Sequence, residues 1–520
     1  HRMAKPLIAS SIAAPAFFGL NTQESGVTLQ EGFALKADNS VIDKQGRLSA
    51  RKGWETISTK LDGVDGDNEG INLLGMANFV DITGTATHLN WSASKFYKGT
   101  TALTTITPTT TDTIAAGNWQ SATLNDHQYF YQRGYLPLIY TNESGSEEFQ
   151  SYAAHTHATA GYPSANTVLA AYGRLWAADT TTNKTTVWFT DVLNGHDFAT
   201  GTAGSIDISS VLTQGMDEIV ALGAHNGFLI IFCKNNIIVY SDGDNFQTAM
   251  TTTSLTLVEV IEGVGCIARD SVQNTGGDIL FLSNTGVRSL SRTIQEKSQP
   301  LRDVSKNVRD VLLFSVGLET LANVKSVYAP RDAFYLLSLP TTAQTFCFDT
   351  RTQLEDGSFR VTLWPTAPPK SYLSVDSNLY YAQVNGVATY SSHQDNGSPY
   401  LMSYASNYFD LGMTDITKII KRVSATTVGI LGQTFALQVG YEYKPAVFSE
   451  TFTLDATSTS EYNVSEFNFA EYTGGVLVND LSSPAQGSGN ILQIGFTAQI
   501  NGSPMSLQRL TIYAKQGKVL

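Results

Sequence analysis

Cysteine is scarce in this chain, and so is positive charge. Three cysteines in 520 residues, Cys233, Cys266 and Cys347, are spread too widely and in too odd a number for a disulfide framework. They share no CxxC spacing, and each lies in or beside an apolar run, so they read as buried reduced thiols rather than zinc ligands. Lys and Arg together number 33 against 46 Asp and Glu, a net charge of −13. A protein that grips nucleic acid needs the opposite balance, because binding phosphates rests on excess cations. An acidic wall would instead let DNA slide past without sticking. Uninterrupted apolar runs approaching about 18 residues are also missing, which excludes a membrane-spanning helix and predicts no stable membrane insertion. Motifs are missing as well: no GxxxxGK[ST], HExxH or GxSxG occurs, nor the S-x-D-x-G-x-[TS]-[WF] turn of sialidase-type propellers.

What is abundant is turn and strand chemistry. Gly numbers 43, Tyr 23 and Phe 25, and Thr and Ser are plentiful. Such a composition favours many short strands over long amphipathic helices. In Gly277 to Leu290 two apolar runs flank a polar turn that ends at Gly286, the pattern of a hairpin. The same grammar recurs at Gly227–Tyr240 and Asn378–Tyr390, and more loosely at Leu89–Tyr97, Tyr129–Tyr140, Arg174–Phe189 and Ala333–Phe348. Comparable positions Thr87, Gln128, Arg174, Phe228, Ile279, Ala333 and Asn378 are separated by 41, 46, 54, 51, 54 and 45 residues. Roughly 40 to 50 residues is the length of one four-stranded propeller blade. The chain is therefore expected to be all-β, a β-propeller of six or seven blades over 61–405.

Residues 1–60 are expected to form an N-terminal arm, ending in a strand at Arg47–Trp54 that completes the last blade and closes the ring. Residues 406–520 change texture. Alternation at Phe435, Leu437, Val439 and Tyr441 predicts strands with one buried face, hence an appended β-sandwich-like domain. The one helix expected inside the propeller spans Arg302 to Leu313, where Val304, Val308, Val311 and Leu312 recur at helical spacing.

Functional candidates are few, and each carries a plain structural alternative. Lys44, Arg47, Arg51 and Lys52 make the densest basic cluster, either a solvated strand edge or a contact with a neighbouring subunit or DNA. Asp65, Asp67, Glu69 and Gly70 have the early spacing of a calcium loop, but Met76 stands where the bidentate Glu belongs. His155 and His157, two apart, would share a strand face, yet no third ligand lies near them in sequence; an exposed loop pair is the simpler reading. Gly263-Val264-Gly265-Cys266-Ile267-Ala268 matches GxGxxA, but turn residues follow where a phosphate-binding helix should open. The carboxylate pairs Glu147–Glu148 and Glu355–Asp356 lie in polar loops, where solvation explains them. No catalytic residue, cofactor or metal site is assigned.

Phe17 to Gly26, Ala34 to Asp43, Gly46-Arg47-Leu48 and Arg51-Lys52-Gly53-Trp54 together resemble the opening of the tail nozzle, or tail stabilisation and tubular, proteins of short-tailed phages (podoviruses). Ile279 to Leu290 resembles a blade of that family. The likeness covers the N-terminal arm and scattered hairpins and fades after about residue 405. It implies a non-enzymatic propeller subunit of the virion tail. Six copies would form a ring beneath the portal and adaptor, conduct DNA during ejection without binding it specifically, and meet a tail fibre or spike. A second reading is a carbohydrate-binding or carbohydrate-cleaving propeller, with the six Trp and many Tyr stacking on sugars. A third, an extracellular adhesin, leans on Lys5 to Leu20, which has the composition of a secretory signal interrupted by Pro6 and Pro15.

Overall fold

The recurring hairpins fold into a ring of small sheets, with the two ends of the chain joined in a sandwich on its flank. The computed structural model describes residues 6–61, 71–242, 254–296, 303–366, 369–454 and 477–519. Six sheets have the four-stranded antiparallel meander of a propeller blade. Blade one holds Gly75–Val80 to Ala102–Ile106, blade two Gln120–Leu124 to Glu148–Ser151, and blade three Thr167–Ala171 to Gly204–Asp207. Blade four runs from Ile219–His225 to Leu255–Glu262, and blade five from Lys325–Ala329 to Phe359–Trp364. Blade six has three strands from Ser371–Val375 to Gly386–Tyr390 and takes its fourth from Trp54–Thr56.

Between blades four and five sits a reduced sheet of three strands, Gln273–Asn274, Ile279–Ser283 and Gly286–Ser289. The helix Leu290–Glu296 follows where a fourth strand would run. The clearest hairpin in the sequence thus belongs to the smallest sheet. Gly286 takes φ +124°, and a Cβ there would come 2.5 Å from the Ser305 hydroxyl, so glycine meets both the turn and the packing.

Apolar side chains fill each gap between sheets. Phe79, Trp91, Phe96, Phe130 and Tyr140 join blade one to two; Tyr129, Tyr131, Leu175 and Ala177 join two to three. Trp176, Phe189, Leu229 and Ile231 join three to four, and Phe232 meets Phe281 of the reduced sheet with ring centroids 5.0 Å apart. Leu336, Trp364 and Tyr381 join five to six, and Met76, Leu103 and Val387 join six back to one. A single hairpin buries one face poorly; stacked around a ring, both faces of each sheet are covered.

The arm and the C-terminal segment form one unit. One layer pairs Ile416–Gly429 with Ser506–Val519, and Leu7–Ala13, Leu48–Ala50 and Leu477–Pro484 extend it. The other runs Lys444–Thr453, Thr434–Tyr441, Leu492–Ile500, Tyr400–Ser406, Phe33–Asp38, and continues directly into Phe359–Trp364, the last strand of blade five. Leu437, Val439, Phe496, Met402, Val423, Leu510 and Ile512 fill the space between the layers, as the alternation at 435–441 predicted. Within the expected arm, Leu7–Ala13, Phe33–Asp38 and Leu48–Ala50 are strands of the sandwich, and Tyr400–Ser406, just ahead of the expected boundary at 405, pairs with Leu492–Ile500 in it. The closing strand is Trp54–Thr56, whereas Leu48–Ala50 of the expected strand pairs with Ser506 and Leu507 instead.

The helix predicted over 302–313 is observed at Arg309–Gly317 after a 3-10 turn at Lys306–Val308; residue 302 lies outside the described residues. Val304, Val308, Leu312 and Val316 face the core, and Phe314 and Leu318 face outward. Asn39 makes the corner between Phe33–Asp38 in one layer and Ser40–Ile42 in the other, at φ +52°. Asn tolerates this left-handed region better than other side chains. Replacing Asn39 by Ala or by Gly removes the same side-chain hydrogen bonds, so their difference isolates the backbone. Asn39→Ala is expected to be less stable than Asn39→Gly by about 1 kcal/mol in urea unfolding.

Candidate functional site: the hub, the arm junction and the histidines

The centre of a propeller is where its inner strands begin, and here that centre is crossed by paired charges. Asn118, Asn166, Glu218, Asp270 and Ala322, each just ahead of an inner strand, line a cavity of about 240 Å3 with Arg133, Asp179, Lys234 and Arg269. Arg269, only 6% exposed, donates to the carbonyl and side-chain oxygens of Asn118 (3.1 and 2.9 Å) and of Asn166 (2.8 and 3.0 Å). Asp270 pairs with Arg269 at 3.0 Å and with Lys325 of blade five at 2.6 Å. Burial pushes the Asp270 carboxyl up, but Arg269 and Lys325 outweigh it and hold it at about 2. Asp179 is bonded in turn by Arg133, Lys184 and Asn166.

These charges are spent on one another, which ties blades two, three and five and the reduced sheet together across the axis. A carboxylate held that far down does not exchange protons near neutrality, as acid–base catalysis requires. A neighbouring cavity of about 230 Å3 is lined by Leu74, Asn118, Lys325, Thr341 and Lys370, among others. Among the described residues, no aromatic side chain lines either one. The tryptophans are elsewhere: Trp91, Trp119, Trp176 and Trp364 are buried, and Trp54 and Trp188 are half-buried.

The basic cluster is divided between the interior and the surface. Arg51 is fully buried, which corrects its reading as a subunit or DNA contact. Its two Nη atoms bond both oxygens of Asp395 (2.9 and 2.8 Å), Nε donates to Asn39 Oδ1 (3.0 Å), and Nη2 also reaches the Thr366 hydroxyl (2.7 Å). The guanidinium lies over the Tyr400 ring, 4.1 Å from its centroid. Arg47, 5% exposed, is likewise internal and pairs with Asp43 at 2.9 Å, part of the turn in which Asp43 also accepts the Gln45 and Arg47 amides. Lys44 is exposed and Lys52 half-buried, so these two keep the surface position the contact reading needs. Charge count alone could not separate the pairs; Arg with a fork of donors suits a buried bidentate partner better than Lys does.

His155 and His157 do not share a strand face. Both lie in the turn after blade two, His155 buried and His157 exposed. His155 meets two other histidines, His127 and His196, whose rings lie 6.3 and 4.8 Å away between centroids. Burial first, then the neighbouring imidazoles, pushes His196 down to about 4 and lowers His155 as well. Sequence reading missed this group because its members are 28 and 41 residues apart; only the pairing of blades two and three brings them together.

The remaining candidates resolve simply. The calcium-like loop 65–70 lies outside the described residues. No helix opens at Gly263 to Ala268, and Gly265 packs so closely that a Cβ would come 2.3 Å from the Cys233 carbonyl. Glu147 pairs with Lys98 at 2.5 Å, and Asp356 with Lys306 at 3.0 Å. All three thiols are buried, and burial pushes Cys266 up to about 12. Lys5 to Leu20 supplies the edge strand Leu7–Ala13 and the buried Phe17 and Leu20. No helix among the described residues is long and apolar enough to cross a membrane.

No family model matches the chain, and no curated protein does. Among solved structures, BamB from Moraxella catarrhalis is similar at 11% identity and TM-score 0.36, over 74% of this chain and 97% of that one. The WD40 domain of Toxoplasma gondii coronin is similar at 9% identity and TM-score 0.38, over 68% and 87%. The designed protein Ika8 is similar at 9% and 0.35, over 65% and 99%. The propeller architecture rests on the strand order and blade packing given above.

Two predictions test the junction. Arg51→Met leaves Asp395 without its partner and is expected to cost about 3–5 kcal/mol in denaturant unfolding. The double variant Arg51→Met, Asp395→Leu should recover part of that loss, because no lone charge remains. His393 beside this junction is held at about 4, by burial first and then by the charges of Lys52 and Arg51. With its folded pKa below the ordinary 6.5, its contribution is complete above pH 6.5 and is lost as pH falls through about 4. The melting temperature of His393→Gln should therefore fall less than wild type between pH 6.5 and 4.

Proposed function

We propose that this chain is a non-enzymatic structural subunit of a short-tailed phage tail, of the nozzle type. It would assemble as a ring of six copies, dock to the head-to-tail adaptor, meet a tail fibre or spike, and pass DNA during ejection. The observation that carries the reading is where the family-like residues fall. Phe17, Leu20, Asn21, Ser40 and Arg51 are each buried, and they hold the sandwich to the ring rather than lining a pocket. Asn21 bonds Asn307, Asn39 bonds the Leu401 carbonyl at 2.9 Å, and Ser40 accepts the Trp364 indole N–H at 2.9 Å. A resemblance kept in a rigid mount fits a part that works by shape and assembly.

The closed hub places one condition on this function. A cavity of about 240 Å3, spanned by Arg269, admits no duplex. DNA would therefore travel between subunits, through a lumen at the centre of the assembled ring, past an acidic chain of net charge −13. The carbohydrate reading loses its main support, since four of the six tryptophans are buried and none of the described residues lining the hub is aromatic.

Class-averaged electron micrographs of the purified protein and of virions test the proposal. Six propellers around a common lumen, each with its own axis closed, is the expected image. A protein absent from virions by mass spectrometry would overturn it. So would saturable binding on a glycan array or release of reducing sugar, either of which would move the reading to the carbohydrate class.

A further inference from the structure

At the boundary of blades two and three, three imidazoles from three separate segments converge. His127 follows the turn Asn125–Asp126, whose residues take φ +44° and +64° and so close the first hairpin of blade two tightly. His155 sits in the turn after the last strand of that blade, its amide donating to the Ser151 carbonyl at 3.0 Å. His196 lies in the loop after Thr186–Phe189 of blade three. Gly195 beside it lets that loop lie on the Tyr129 ring, where a Cβ would come 2.4 Å away. One ring nitrogen from each histidine falls within 4.8 Å of the other two.

The surroundings orient these rings. His127 Nδ1 is 2.9 Å from the Asn125 carbonyl, which can only accept, so Nδ1 carries the proton and Nε2 keeps its lone pair. His196 Nδ1 is 3.5 Å from the Tyr129 hydroxyl. His155 Nδ1 accepts the His157 amide at 3.2 Å, a long bond that a stronger partner would replace. The acids adjacent in sequence are engaged elsewhere: Asp126 accepts the Ile82 amide at 2.8 Å, and Asp197 accepts the Thr159 hydroxyl at 2.9 Å and the Ala199 and Thr200 amides at 3.0 and 2.9 Å. His127, with its outer Nδ1–H on a carbonyl, is held as metal-binding imidazoles usually are.

We propose that His127, His155 and His196 form a site for a first-row divalent cation, Zn2+ foremost, with water in the fourth position, and that the ion staples blade two to blade three. Imidazole nitrogens suit zinc and its neighbours, whereas calcium and magnesium require oxygen ligands. Zn–N bonds of about 2.0–2.1 Å place tetrahedral ligand nitrogens roughly 3.3 Å apart. The three nitrogens, now within 4.8 Å of one another, need to close by up to about 1.5 Å, which small side-chain rotations at a strand end and two loops can supply.

Metal-free full-length protein titrated with Zn2+ by calorimetry should bind one equivalent, and its melting temperature should rise. Co2+ in place of Zn2+ should give the intense visible absorption of a four-coordinate ion. His127→Gln and His196→Gln should each weaken Zn2+ at least tenfold and abolish the thermal shift, while His157→Gln should leave both unchanged. Circular dichroism of each variant confirms that the fold persists. Failure of the wild type to show a saturable one-equivalent site, or wild-type affinity in both His127→Gln and His196→Gln, overturns the site.

Discussion

Everything in this molecule depends on closing a ring that the chain itself leaves open. A propeller's blades cover one another's faces only if the last meets the first, and an unsealed ring would expose the edge of one sheet and the faces of two. The seal is Trp54–Thr56, donated from the N-terminal side to Gly386–Tyr390. Three residues of pairing are a slight fastening for so large a circle, and the residues on either side reinforce it. Directly before it, Arg51 clamps Asp395, Asn39 and Thr366; directly after it, Ile57 and Ser58 donate to the Val387 carbonyl. The closure is thus held by a buried, bidentate and ring-stacked cation, in the geometry where guanidinium is most effective.

The sandwich follows from the same requirement. Once residues 54–56 are committed to blade six, the fifty residues before them must lie near the end of the ring, where the C-terminal segment also emerges. Both ends therefore meet and zip together, Leu7–Ala13 along Arg509–Lys515 and Leu48–Ala50 beside Ser506–Leu507. Asn39, with its left-handed backbone, carries the chain from one layer to the other within a single residue. The outer edge of blade five meets the end of Phe33–Asp38, where Asp38 pairs with Leu363 and the Asn39 amide donates to the Leu363 carbonyl at 2.8 Å, so a strand edge that would invite association is used to mount a domain.

How much of this was legible beforehand follows from the range of each interaction. Hairpins are local: a turn glycine and flanking apolar residues sit within about 14 positions, so the blades at 228, 279 and 378 could be read directly. The alternation from Phe435 to Tyr441 announced a buried face for the same reason. What could not be read is pairing over long separations. Arg51 looked like its neighbours Lys44 and Lys52 until Asp395, 344 residues away, was placed against it. The histidines at 127, 155 and 196 failed as a motif because no helix or strand period links them. The reduced sheet illustrates the converse: a strong local signal fixes a hairpin but says nothing about how many strands its blade will have.

Filling the hub has a consequence for any larger assembly. A wide axial hole would require polar inner strands facing water, whereas here Arg269 satisfies two backbone carbonyls and two asparagine side chains at once. Asp270, between Arg269 and Lys325, pairs with both cations. A network of this kind is costly to open, since removing one member leaves the others buried and unpaired. The propeller's centre is therefore crossed by a charged network that leaves a cavity of about 240 Å3 rather than an open tube. Any passage such a protein provides must be built from its outer surfaces, between copies, and the charge that matters there is that of the rims and loops rather than of the axis.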